Sequence, residues 1–119
     1  MKLKKDFNKN HKKTYFKIIY VLADMLKIKI KTRFNSAVDN DKIPIEVCDY
    51  FNIEQGASES IEMKLIEVIQ ALLIKHKYLT EPYVVAEIIN THAEMHKETL
   101  EFNPPRVNAV AELLRAIGI

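Results

Sequence analysis

The chain has 119 residues, 48% apolar and 29% charged, with only 2 glycines, 4 prolines and 1 cysteine. That is the length of one domain with a real core. It holds too few turn-forming residues for a sandwich or barrel, and too few cysteines for a disulfide or a cysteine-based zinc cage. The net charge of +2 hides a gradient: residues 1–33 carry +9, residues 34–101 carry −8 and residues 102–119 carry +1, an asymmetry expected of a protein that binds a polyanion.

Residues 1–11 read as a basic, polar lead-in around Phe7. Met1-Lys2-Leu3-Lys4-Lys5-Asp6 has no apolar run behind it. With no stretch long enough for a membrane span, this predicts a cytoplasmic protein without signal peptide or membrane partner. A first helix is expected from Lys12 to Lys29, because Tyr15, Ile18, Ile19, Leu22, Met25 and Leu26 recur at three- and four-residue steps. The alternating Lys27-Ile28-Lys29-Ile30-Lys31 carries a strand signal, but with no partner strand it reads as the frayed, dipole-favoured end of that helix.

From Arg33 to Ile43 the chain is polar, with Val38 to Asp41 as a loop. Pro44 opens a short helix to Phe51, which the stretch Asn52 to Ser58, with Gly56, breaks. Ser58 or Ser60 caps the next helix, which runs to about His76. Its stripe of Ile61, Leu65, Val68, Ile69, Leu72 and Leu73, widened by Ile66 and Ile74, predicts the central helix of the fold. Thr80 caps a fourth helix, and Asn103 with Pro104 and Pro105 opens a last one that Gly118 stops. The expectation is an all-α bundle of about five helices: a single domain over 1–119, with possible subdomains at 1–55 and 58–119.

The residues for chemistry are sparse. His92 and His96 have the four-residue spacing of metal ligands, but the order His-Ala-Glu-Met-His is not that of zinc proteases and no third ligand is evident. Asp39 and Asp41 form a lone loop pair, and Cys48, beside Glu46 and Asp49, is expected to be a buried small hydrophobe. There is no phosphate-binding glycine loop. No catalytic residue and no structural metal is therefore predicted.

Positive charge is the most specific signal. Lys12 and Lys13 stand at the start of the first helix; Lys27, Lys29, Lys31 and Arg33 follow its end. All six are candidates for DNA phosphates, with Tyr15, Tyr20 and Phe34 interleaved for occasional base stacking. The last helix offers a second positive site. Asn103, Arg106, Asn108 and Arg115 lie along it, and backbone N–H groups at its start favour an anion such as a nucleotide phosphate.

Thr80 to Ile119, with Thr-capped helix, then Pro-Pro-Arg and Leu-Leu-Arg-Ala-Ile-Gly-Ile, resembles the helical part of a winged-helix or helix-turn-helix unit, though the linker from His96 to Asn103 exceeds a tight turn. The whole chain, helical and rich in lysine, isoleucine and asparagine, resembles the helix-bundle accessory domain of archaeal plasmid primase-polymerases. That resemblance implies a non-catalytic DNA-binding and nucleotide-binding role in replication. Single-stranded template and nucleoside triphosphate (ATP, with magnesium) would be held for the first step of primer synthesis, and the catalytic domain would lie in the same chain. The alternative is a helical protein–protein interaction domain with a basic tail.

Overall fold

In a computed structural model of the chain, residues 9–54, 60–77, 81–100 and 106–118 are described. Among them are seven helical segments and no strand: α1 (Lys9–Met25), α2 (Phe34–Asp39), α3 (Ile45–Phe51), α4 (Ile61–Lys75), α5 (Pro82–Met95), α6 (Lys97–Leu100) and α7 (Val107–Ala116). The protein is an all-α helix bundle, and no helix among the described residues is long and apolar enough to cross a membrane.

The central helix is α1, not α4. Tyr15, Phe16 and Ile18 to Ala23 are all buried, so apolar residues wrap nearly the whole circumference of α1. A helix apolar on all sides has to be enclosed, and α1 packs against α2, α4 and α5. In α4 the stripe expected from the sequence is buried, from Leu65 to Leu73, but Ile74 is 75% exposed. The stripe is therefore one-sided. α5 carries Val85, Ala86, Ile89 and Ala93 inward, and packs on α7 through Val110, Ala111 and Leu114.

Helix ends show how a chain with two glycines turns so often. Three helices close with a left-handed residue that is not glycine: Lys27 (φ 65), Asp41 (φ 51) and Asn52 (φ 55). Each end carries the same pair of backbone bonds, for example Lys27 N–H to Asp24 O at 2.9 Å and Ile28 N–H to Ala23 O at 3.0 Å. These satisfy carbonyls left open at a helix C-terminus. Asn and Asp tolerate this conformation; a lysine there costs roughly 1–2 kcal/mol.

Further corrections concern boundaries. The first helix ends at Met25 rather than Lys29. Residues 34–39, expected as polar chain and loop, form α2, because Phe34, Ala37 and Val38 reach the core at helical spacing. Of the two anticipated caps of α4, Ser58 and Ser60, it is Ser60 whose Oγ accepts from Met63 N–H at 3.2 Å. His76 is the C-cap residue of α4. It is buried, and its Nε2 meets Leu22 O of α1 at 3.1 Å. A carbonyl only accepts, so Nε2 carries the proton. Cys48 is buried, as expected for a small hydrophobe. Thr80 and Asn103, the anticipated caps of α5 and α7, lie outside the described residues; the residues in cap position are Glu81 and Arg106.

Candidate nucleic-acid interface

The alternation at Lys27–Lys31 is not the frayed helix end expected from the sequence. The left-handed turn at Lys27 ends the helix, and the chain leaves in a non-helical segment up to Arg33. In extended chain, successive side chains face opposite ways. The burial follows that rule: Lys27, Lys29, Lys31 and Arg33 are exposed, while Ile28, Ile30 and Thr32 are half-buried. No partner strand is needed, because other groups hold the backbone. Tyr20 OH donates to Thr32 O at 2.7 Å, and Lys31 N–H donates to Glu46 Oε2 at 3.3 Å.

This segment rims a cavity of about 470 Å³ lined by Tyr20, Asp24, residues 28–34 and Leu100. Three of the six anticipated DNA-binding cations, Lys29, Lys31 and Arg33, thus stand around one space. The size suits a small ligand or one or two nucleotide units. The aromatics contribute differently from the sequence expectation. Tyr20 and Phe34 are buried and meet edge to face at 5.4 Å, so they build the wall and are not free to stack on a base. Tyr15 is wholly enclosed, and burial, with the nearby Glu62 carboxylate, pushes its phenol up to about 12.

The remaining cations are elsewhere. Lys12 and Lys13 sit about 18 Å along α1 from its far end, and Lys12 is paired with Asp41 at 2.6 Å. That ion pair also engages one member of the Asp39–Asp41 pair. Lys27 belongs to the helix-ending turn and does not line the cavity. Lys17 is half-buried, and burial, then the charge of Lys13, pulls its ammonium pKa down.

The second anticipated site divides. Asn108 and Arg115 are seven residues apart, two turns of α7, and share a face. Both engage Tyr83 of α5: Tyr83 OH donates to Asn108 Oδ1, and the Arg115 guanidinium lies 5.9 Å from the ring centroid. Tyr83 is half exposed, so this face presents an aromatic ring beside a cation. Nothing in the local sequence marks Tyr83, which comes from a different helix. Arg106, expected along a helix opened at Asn103, is instead its N-cap residue, exposed and without a side-chain cap bond. Asn103 lies outside the described residues.

A third cluster joins α1 to α5. His92 Nε2 lies 2.7 Å from Asp24 Oδ2, and the His92 and His96 rings are 4.4 Å apart. Ligand atoms of these three residues lie within 4.8 Å of one another. The spacing of the two histidines is legible in the sequence; the carboxylate, 68 positions away from His92, is not. Comparison with protein-family models, with curated proteins and with solved structures finds no match for this chain.

Proposed function

We propose that this chain is a DNA-template and nucleotide-binding accessory domain of a replication protein, assisting the start of primer synthesis while a separate domain performs the chemistry. The observation that carries the reading is the gathering of Lys29, Lys31 and Arg33 around one cavity at the end of α1. A row of exposed cations at alternate positions of a non-helical segment matches a phosphodiester backbone, whose affinity is dominated by such pairings. The template strand lies along Lys29, Lys31 and Arg33. The triphosphate is taken at the α7 face, where Arg115 supplies charge and Tyr83 a platform for the base. The primase assignment itself rests on the resemblance of the whole chain to primase-polymerase accessory bundles.

The test is fluorescence anisotropy with a short labelled single-stranded DNA at several salt concentrations. The wild type is expected to bind at low salt. Replacing Lys29, Lys31 and Arg33 together by alanine should weaken binding by about tenfold or more. It should also flatten the log–log salt dependence by about 0.7 for each phosphate no longer neutralised. Equal affinity and equal salt slope in the triple variant would sink the assignment. ATP with magnesium should shift amide signals around Tyr83, Asn108 and Arg115, and shifts confined to the Lys29–Arg33 cavity would move the triphosphate there.

The second reading, a helical protein-interaction domain, is favoured by the exposure of Ile74 and Met95, both about three-quarters open, and of Val84 and Met63. Absence of DNA binding by the wild type at low salt would favour it.

A further inference from the structure

We propose that Asp24, His92 and His96 form a binding site for one divalent transition-metal ion of the zinc class, with three protein ligands and an open coordination position. The proposal does not rest on the nucleic-acid reading, since its ligands are distinct from Lys29, Lys31 and Arg33. His92 and His96 are four apart near the end of α5, which puts both imidazoles on one side of the helix. Their rings lie 4.4 Å apart at 34°. The crossing of α1 over α5 brings in Asp24, whose Oδ2 is 2.7 Å from His92 Nε2. One ligand atom from each of the three side chains falls within 4.8 Å of the other two.

Bond lengths of about 2.0–2.2 Å to nitrogen and carboxylate oxygen place tetrahedral ligands about 3.3 Å apart. The cluster brackets that spacing. An ion would take the place of the hydrogen between His92 Nε2 and Asp24 Oδ2, the ring keeping one proton on Nδ1 and any other passing to solvent, and would part the two atoms by about half an ångström. The remaining separations, at most 4.8 Å, are adjusted by side-chain rotation. Two imidazoles and one carboxylate leave a bound dication with one net positive charge, which suits a water or an anionic oxygen at the fourth position.

Accessibility and selectivity also fit. The Asp24 and His92 side chains are 37% and 22% exposed, so the site is sheltered yet reachable. Asp24 is in addition part of the cavity wall. Imidazole ligands favour zinc, cobalt or nickel over magnesium, which prefers an all-oxygen shell. The site is thereby separate from any magnesium carried in on a triphosphate. Glu94, between the histidines in sequence, pairs with Lys97 at 3.5 Å and is exposed.

The experiment is titration of chelator-treated full chain with Zn²⁺ in competition with a chromophoric chelator, followed by Co²⁺ read in the visible. One equivalent of zinc is expected, and bound cobalt should show the stronger absorption of a site with fewer than six ligands. His92→Ala, His96→Ala and Asp24→Asn should each weaken zinc by about tenfold or more, while Glu94→Gln leaves it unchanged. The bond to Asp24 is made by His92, so His96→Ala tests the ligand set with that link between α1 and α5 intact; circular dichroism checks each variant's fold. No zinc uptake by the wild type, or undiminished uptake in both histidine variants, would overturn the proposal. Excess magnesium should leave the bound zinc in place, and its displacement would count against the site as well.

Discussion

The middle of α1 and the segment that follows it are neighbours in sequence and opposites in physics. From Tyr15 to Ala23 every side chain except Lys17 is buried, and apolar residues surround the helix. From Lys27 to Arg33 every second residue is a cation facing solvent. The change happens at one residue, Lys27, whose left-handed conformation replaces a period of 3.6 with a period of 2. The lesson is that charge becomes a surface only when backbone geometry aligns it. Lys12 and Lys13, on a helix, are adjacent and diverge. Lys29, Lys31 and Arg33, off the helix, are all exposed and all line one cavity.

The largest expected effect tests the closed half of that comparison. Tyr15 has its phenol raised to about 12, first by burial and then by Glu62, against an ordinary 10.0. Below pH 10 the phenol is protonated in folded and unfolded chain alike, and the full stabilisation is present. Between pH 10 and 12 the unfolded chain loses the proton and the folded chain keeps it, so stability falls, by up to roughly 2 kcal/mol. Thermal melts from pH 9 to 12 should show a steeper alkaline loss in the wild type than in Tyr15→Phe. Parallel curves would mean that the enclosed half of α1 holds no such group.

A smaller effect tests the joint between the halves. Tyr20 belongs to the packed helix, yet its hydroxyl holds Thr32 O of the open segment. Tyr20→Phe keeps the ring against Phe34 and removes the hydroxyl that makes that bond. It should cost about 1 kcal/mol of stability and weaken single-stranded DNA binding, because the cations lose their fixed backing. Unchanged DNA affinity with reduced stability would show that the segment is held by Glu46 and its isoleucines alone.

The smallest effect concerns the turn itself. Lys27→Gly relieves the left-handed lysine but loosens the unfolded chain, for a net gain of about 0.5 kcal/mol by chemical denaturation. Since Lys27 does not line the cavity, DNA affinity should fall far less than in the triple variant. A loss as large as the triple variant's would extend the interface to the turn.

Much of the fold is legible in the sequence because helical periodicity is a local property. The stripe from Leu65 to Leu73, the Ser60 cap and the break at Asn52 follow from side-chain spacing and capping chemistry. Placement is less legible. α1 carries its six-residue stripe openly, but its full enclosure depends on Phe16, Tyr20, Val21 and Ala23 also finding partners, which only neighbouring helices supply. α2 is hidden because Asn35, Ser36 and Asp39 dominate its composition, while Phe34, Ala37 and Val38 do the packing.

By itself the sequence determined that the chain is helical, that its charge is concentrated before residue 34, and that the alternation after Met25 has a period of 2. Periodicity and charge are written into neighbouring residues. Only the tertiary structure decided that this alternation leaves the helix with its cations exposed and its isoleucines half-buried, that three of those cations line one cavity, that Tyr83 stands between Asn108 and Arg115, and that Asp24 joins two histidines. The last two are meetings of residues tens of positions apart, and they exist because the buried faces of α1, α5 and α7 can be satisfied only by packing on one another.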